Sequence, residues 1–282
     1  MAVQPKTIQI FLPDGNARSI RIAEITSRTI HAIQIPRSKV RAADVRTEPQ
    51  SVGVYFLFGD VEESAKPHVY IGEAEDCYQR IRQHNQSKDF WTTAVIISSK
   101  TGAFDKAQAR YLEWYFLQQA HEIGRYHLEN SVTPGEPYLA EPTKADLYDY
   151  IGTTRILLST LGFPVLQEAG DPAEKREMLY CGVPKLGIEA SGKYTEDGFV
   201  VFKGSQARLD DLNDKAEWVR NQRQKLREDG LLLEQGDHLM FSEDYVFSSP
   251  SAAAQTVQGR PANGWKQWCN KAGQTLDELE RQ

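Results

Sequence analysis

The sequence predicts an α+β fold in which short strands and helices alternate along the chain. Apolar and polar residues alternate with period two in short segments near the start, which is typical of half-buried strands. Two longer segments, 105–123 and 144–161, carry apolar residues at helical spacing. A charged helical segment at 211–229 and a hairpin pattern at 231–247 follow. The last hundred residues, 181–282, are therefore predicted to form a second α+β domain.

The first fifty residues are predicted to form a small β element. Strand-like alternation covers 7–12, 19–22 and 29–35, and Pro13-Asp14-Gly15-Asn16 is a strong turn after the first strand. A short helix over 37–45 is expected to lead into the next domain. The segment carries eight basic and four acidic residues, although the whole chain has a net charge of −6. This local basic character is compatible with DNA contact, and an ordinary solvated face is the alternative.

Two strand-like runs joined by a polar loop predict a β-hairpin. The first run contains Gly53-Val54-Tyr55, the second contains Tyr70-Ile71-Gly72, and the loop between them is rich in turn residues. The pattern then predicts a helix over 74–86, a third strand over 91–97 and the helix 105–123, which Gly124 is suited to end. The block 51–130 is therefore predicted to be one compact domain.

The polar residues of this block resemble the GIY-YIG nuclease family. The two tripeptides of the hairpin correspond to the pair that names the family, with Val54 in the place of an isoleucine. The resemblance implies a small three-stranded antiparallel sheet flanked by helices. It also implies an endonuclease that hydrolyses DNA phosphodiester bonds with one Mg²⁺ or Mn²⁺. The matching catalytic positions are, in chain order, Tyr55, Tyr70, Arg80, His84, Glu113 and Asn130.

The resemblance also implies what these side chains do. Glu113 is the metal anchor, since a hard divalent cation binds carboxylate oxygen. Arg80 holds phosphate oxygens with its planar guanidinium and so contacts the nucleic acid. Tyr55 is the candidate general base, and Arg80 and the metal are expected to lower its pKa from ~10. Tyr70 orients water or phosphate, and His84 relays a proton.

Ordinary structural roles remain as alternatives for several of these residues. Tyr55 and Tyr70 are also typical strand residues, His84 is suited to the end of a helix, and Asn130 is suited to a turn. Glu113 lies beside a core position, where an unpaired carboxylate is costly, and this favours a functional role. Other polar residues nearby are interpreted as surface residues: Arg82, His121, Glu122 and His127.

Residues 131–180 are predicted to be a helical connector and linker. Loop residues around 134–143 precede the helix 144–161, and 169–177 is polar throughout. The helix contains Tyr150-Ile151-Gly152, a second copy of the tripeptide. No hairpin precedes this copy, so it is interpreted as a coincidence.

The C-terminal domain, 181–282, resembles a domain that often accompanies such nucleases, DUF4357. The resemblance rests on 197–205, 249–254 and 263–268. The last two stretches also resemble the adenine-methylase-associated module found in restriction enzymes, and that likeness implies DNA recognition, including modified bases. Lys203 and Lys266, together with Trp265, are the candidate contacts, since cations bind phosphate and indoles stack on bases. The alternative that Trp265 and Trp268 are core aromatic residues stays open.

The composition of the chain indicates its cellular compartment and the class of its partners. No apolar run approaches the ~20 residues that span a bilayer, and the first residues lack the apolar stretch of a signal peptide. Three widely separated cysteines fit free thiols in a reducing compartment, without a disulfide framework or a cysteine zinc site. We therefore expect a cytoplasmic protein that binds DNA and no membrane. The oligomeric state stays open, and a dimer is one way to cut both strands.

The sequence leaves two functions open. The favoured one is a metal-dependent DNA endonuclease with a context in restriction, defence or mobile elements. The alternative is a protein that binds nucleic acid or reads modified DNA on a nuclease scaffold without cleaving it, which the overall acidity of the chain favours.

Overall fold

The computed structural model describes residues 5–60, 64–168, 177–210 and 217–281. Helices and strands are mixed along the chain, which confirms the predicted α+β fold. The chain divides into two compact units. The first unit spans 1–61 and 66–167, and the second spans 62–65 and 168–282.

Three predicted segments fall partly outside the described residues. Most of the predicted linker 169–177 lies there, as do the start of the predicted helix 211–229 and residues 61–63 of the hairpin loop. None of the helices in the described part of the chain has both the length and the apolar character needed to cross a bilayer.

Within the described part of the chain, the first unit is built on one mixed sheet, with a 3-10 helix at Arg37–Val45 and three α-helices. The helices are α1 (Cys77–Ser87), α2 (Lys106–Ile123) and α3 (Glu141–Thr160). The strands are β1 (Ile8–Phe11), β2 (Arg21–Ile25), β3 (Ile30–Pro36), β4 (Gly53–Gly59), β5 (His68–Ala74), β6 (Thr93–Ser99) and β7 (His127–Leu128).

The sheet is larger than the three strands that the resemblance implies. Its order is β1-β2-β3-β6-β4-β5-β7, so the hairpin β4–β5 and the third strand β6 lie in its middle. Strand β3 pairs with β6 in antiparallel fashion along seven residues, and β7 pairs with β5 in parallel. The N-terminal strands therefore continue the same sheet, because β6 offers an edge whose backbone groups need partners.

Local sequence explains where the helices begin and end. Asp105 caps α2 in a reciprocal box with Gln108, and Gly124 ends it in the left-handed region at φ 66°. Helix α1 begins three residues later than predicted, because β5 runs on to Ala74 and Asp76 is the cap. Helix α3 begins at Glu141, within a predicted loop, because proline is tolerated in a first helical turn.

Both faces of the central sheet are buried. Along β4, Val54 and Phe56 pack into a cluster that includes residues of α2 and α3. Tyr55, between them, points to the other face and packs into a cluster that includes residues of α1 and the 3-10 helix. This alternation fixes which side of the sheet carries each candidate side chain.

In its described residues, the second unit contains two small antiparallel sheets and four α-helices. The sheet orders are β14-β10-β9-β8 and β11-β13-β12. A 3-10 helix at Pro184–Leu186 follows the first strand. The elements are β8 (Leu179–Val183), β9 (Ile188–Thr195), β10 (Gly198–Val201), β11 (Gln206–Arg208), α4 (Glu217–Glu228), β12 (Leu232–Gln235), β13 (His238–Phe241), β14 (Tyr245–Phe247), α5 (Pro250–Gln258), α6 (Gly264–Gln267) and α7 (Leu276–Glu280).

The charged composition of α4 suggests a helix exposed to solvent, but one of its charged residues is buried. Arg223 is buried, and its guanidinium donates hydrogen bonds to the backbone carbonyls of Arg208, Leu209 and Thr256. Several carbonyl acceptors offset the cost of burying this charge. Arg223 therefore ties α4 to neighbouring segments of the same unit.

Candidate active site

The two tyrosines of the hairpin lie side by side on one face of the sheet. Their ring centroids are 6.2 Å apart, and Tyr55 stands opposite Gly72 in the ladder. A Cβ atom on Gly72 would come within 2.4 Å of the Tyr55 hydroxyl oxygen and 2.6 Å of Cζ. The glycine of the second tripeptide therefore makes the space in which the Tyr55 phenol lies.

Substitution of Gly72 by alanine is expected to displace the Tyr55 ring and to destabilise the protein by about 1–3 kcal/mol, the usual cost of overpacking. The matched control is Gly152→Ala in the second copy of the tripeptide. That position is helical, and a Cβ there meets nothing within 4 Å. The free energy of unfolding of the control is expected to increase by about 0.5–1 kcal/mol, because alanine is more favourable than glycine inside a helix. Urea unfolding measures both variants, and equal effects would contradict this packing role of Gly72.

His84 reaches the Tyr55 hydroxyl from helix α1. Its Nε2 atom lies 2.9 Å from the Tyr55 hydroxyl oxygen, and both side chains are buried. Burial, then the nearby charges of Arg80 and Lys88, lower the pKa of His84 to about 4. His84 is therefore neutral at pH 7 and can accept a proton from the phenol.

Burial dominates the acidity of Tyr55. It raises the pKa of this phenol well above its usual value, and Tyr70 adds to the rise, whereas Arg80 offsets only part of it. Arg80 thus acts in the expected direction, but in the protein alone burial outweighs it. The phenol stays protonated near neutral pH, so any transfer of its proton must pass to a neighbour.

Arg80 interacts with both Tyr55 and Tyr70. It is exposed and donates a hydrogen bond to Gln83 Oε1 at 2.8 Å. Its interaction with Tyr55 raises the pKa of the guanidinium, which stays charged. A permanently charged, accessible fork beside two phenols is suited to phosphate oxygens.

Lys88 is a neighbour that the sequence interpretation missed. Its Nζ atom lies 4.5 Å from the centroid of the Tyr70 ring, in a cation–π contact. The signal was present, since Arg80, His84 and Lys88 recur every four residues, the first two on one face of α1 and Lys88 directly after its last residue. A second cation therefore borders the tyrosines.

Glu113 lies in a different set of contacts. It is half-buried on α2, and burial, followed by the nearby carboxylate of Glu73, raises its pKa. Arg110, whose Nε lies 3.8 Å from Glu73 Oε1, offsets the rise in part. A divalent cation prefers carboxylate oxygens, and it would offset the repulsion that raises the pKa of Glu113.

Glu73 was also missed by the sequence interpretation, although it directly follows Tyr70-Ile71-Gly72. Side chains alternate along a strand, so Glu73 points to the α2 side of the sheet while Tyr70 points to the α1 side. Strand β5 therefore contributes to both groups, with Tyr70 among the tyrosines and Glu73 among the carboxylates.

Asn130 clamps the same strand. Its amide nitrogen donates to the Ile71 carbonyl at 2.7 Å, and its amide oxygen accepts from the Ile71 N–H at 3.0 Å. Both halves of the side-chain amide are thus occupied by backbone. This geometry holds β5 between Tyr70 and Gly72, which is a positioning role.

The contacts therefore bring four of the six predicted catalytic residues together: Tyr55, Tyr70, Arg80 and His84. Among the described contacts, Glu113 meets Glu73 and Arg110 rather than the tyrosines. The catalytic roles of all six predicted residues stay predictions.

The candidate DNA contacts of the second unit have varied surroundings. Lys203 and Lys266 are exposed. The Trp265 ring is half-buried, with the Arg281 guanidinium 3.5 Å from its centroid and Tyr194 against its edge. Trp268 is fully buried and donates its indole N–H to the Pro250 carbonyl, so the core alternative holds for this tryptophan.

Comparison with known proteins adds two family matches. Residues 52–127 match the model of the GIY-YIG catalytic domain, and residues 179–280 match DUF4357, a domain of unknown function. The first match indicates a nuclease superfamily. No curated protein and no solved structure matches the chain significantly.

Proposed function

From a GIY-YIG catalytic domain over residues 52–127, we propose that this protein is a metal-dependent endonuclease that hydrolyses DNA phosphodiester bonds. The observation that carries the proposal is the 2.9 Å contact between the Tyr55 hydroxyl and His84, with Arg80 beside it. A buried phenol, a neutral imidazole and an exposed guanidinium together can move a proton next to a bound phosphate.

The proton relay follows from the two pKa directions. Because burial keeps Tyr55 protonated, this phenol cannot act as a preformed base near neutral pH. It can accept a proton from the attacking water only as it donates its own proton to the Nε2 atom of His84, which is neutral. Tyr55 is thus a relay and His84 the final acceptor.

The phosphate is held by cations on the same side of the sheet. Arg80 and Lys88 flank the two phenols, and their charges stabilise the additional negative charge of the transition state. Tyr70, beside Tyr55, is placed to orient water or a phosphate oxygen through its hydroxyl.

Glu113 and Glu73 are the residues that would hold a divalent ion. When bound, Mg²⁺ or Mn²⁺ supplies Lewis-acid stabilisation of the scissile phosphate and the leaving 3′-oxygen. The two carboxylates and Arg110 lie on α2 and at the end of β5.

The test is cleavage of supercoiled plasmid and of modified-base DNA with Mg²⁺ or Mn²⁺, against the same reactions with a chelator. Metal-dependent nicking supports the proposal. The absence of cleavage on every substrate, with DNA binding retained, would favour the alternative of a binding protein on a nuclease scaffold. In either case, Lys203, Trp265 and Lys266 are proposed to contribute to DNA binding.

The proposed relay predicts an unusual pH profile. The pKa of His84 is about 4, so His84 remains a proton acceptor well below pH 6, and the nicking rate is expected to fall only below about pH 5. Protonation of Glu113 also weakens metal binding in acid, but raising the metal concentration shifts that effect and leaves the His84 effect unchanged. An inflection near pH 6.5 in a rate profile measured from pH 4.5 to 8.5 would contradict the relay.

A further inference from the structure

A cluster of metal-donor side chains lies at the β5–β7 edge of the first unit. One ring nitrogen each from His68 and His127 and one carboxylate oxygen of Glu129 all lie within 4.8 Å of one another. In the described part of the chain, this is the only such group of three or more donors. None of the three belongs to the candidate active site.

Strand pairing builds the cluster. Strand β7 pairs in parallel with the start of β5, which sets His127 beside His68. Backbone hydrogen bonds hold both ends of the pair, from His127 N to Pro67 O at 2.8 Å and from Glu129 N to Val69 O at 2.9 Å. His127 and Glu129 are two residues apart, so both side chains point to the same side.

The donor atoms lie close together, and one ring nitrogen of the cluster lacks a hydrogen-bond partner within the described ranges. His68 Nδ1 lies 2.6 Å from Glu129 Oε1, and the rings of His68 and His127 are 4.7 Å apart between centroids. His68 is buried, and its Nε2 atom has no hydrogen-bond partner among the described residues. A buried ring with an unpaired nitrogen is costly unless something binds it.

The donor set selects the class of ion. Two imidazoles and one carboxylate match the preference of Zn²⁺, and three protein ligands leave a fourth position for water or substrate. Mg²⁺, by contrast, prefers oxygen ligands and retains its waters. The cluster is therefore suited to a different metal from the carboxylates around Glu113.

We propose that His68, His127 and Glu129 bind Zn²⁺ at a site separate from the catalytic centre. The bound ion fastens 127–130 to β5, next to the Asn130 clamp on Ile71. Through this clamp the site helps to hold the strand that carries Tyr70. The proposal does not depend on the cleavage activity.

The test is Zn²⁺ binding by the full-length chain after treatment with a chelator, measured by equilibrium dialysis and by the shift in melting temperature. We expect one equivalent to bind and to raise the melting temperature. His127→Ala changes an exposed residue, so we expect the fold to be retained. Its Zn²⁺ affinity is expected to fall at least ~10-fold, since even changes to residues behind the ligands cost that much.

Two controls separate this site from the rest of the protein. His121→Ala removes another exposed histidine, and Glu113→Gln removes the proposed anchor of the catalytic metal. Both are expected to bind Zn²⁺ as the wild type does. Equal Zn²⁺ affinity of the wild type and His127→Ala would overturn the proposal, whether both bind or neither does.

Discussion

Glu113→Gln is expected to abolish metal-dependent nicking while the fold becomes slightly more stable. The anchor of a metal that stabilises the transition state contributes several kcal/mol, so the loss should reach at least ~10³-fold in rate. Plasmid nicking at fixed Mg²⁺, followed by densitometry, measures it. Glutamine keeps the size of the side chain, so the loss reports on charge.

The Glu113→Gln variant is expected to lose activity but to gain stability. Burial and Glu73 raise the pKa of Glu113 in the folded protein. An acid whose pKa is higher when folded destabilises the protein once the pH rises above the pKa of the unfolded chain. Removing the charge should therefore raise the melting temperature at pH 7. A simple folding defect would lower both activity and melting temperature.

Glu122→Gln is the matched control on the same helix. Glu122 is exposed and accepts a hydrogen bond from Gln119. The same chemical change there should leave nicking at the wild-type rate. Full activity of Glu113→Gln at the same Mg²⁺ concentration would remove Glu113 from the proposed mechanism.

Tyr55→Phe is the second large expected effect. The ring and its packing remain, but the hydroxyl that lies 2.9 Å from His84 is lost. Removal of a proton relay typically costs ~10²–10⁴-fold in rate. The buried His84 also loses its partner, at a cost of about 1–3 kcal/mol. Nicking assays and urea unfolding measure the two effects.

Tyr78→Phe separates chemistry from stability. Tyr78 lies in the same buried cluster, and its hydroxyl donates to the Val40 carbonyl at 3.1 Å. Removing it should lower stability by a similar amount and leave the nicking rate unchanged. If both phenylalanine variants slowed nicking equally, the Tyr55 hydroxyl would have no special role.

Local patterns predicted much of this fold. The hairpin with the two tyrosines, helix α2 with the glycine that ends it, and the hairpin β12–β13 were readable because turn residues and periodic apolar residues mark them. The family resemblance was confirmed for both domains. The junction of the N-terminal strands with β6 was not readable, since pairing between distant strands leaves no local signal.

The candidate site was predictable as a set of residues and not as a set of contacts. The tripeptides and their spacing pointed to Tyr55 and Tyr70, but sequence alone does not show that burial outweighs Arg80 in setting the Tyr55 pKa. Glu73 was missed because a single glutamate at a strand end has no distinctive pattern. Its neighbour Glu113 lies 40 positions away in the sequence.

The long pairing of β3 with β6 has a consequence for where this nuclease-like domain begins. The family match starts at residue 52, but a fragment cut there would strip β6 of seven partner residues. It would also remove Ile30, Ile33 and Ile35, which are fully buried, and so leave β6 as an apolar, unpaired edge prone to self-association. The evolutionary boundary of the domain is thus not its folding boundary, and the smallest stable piece must include the strands that precede the match.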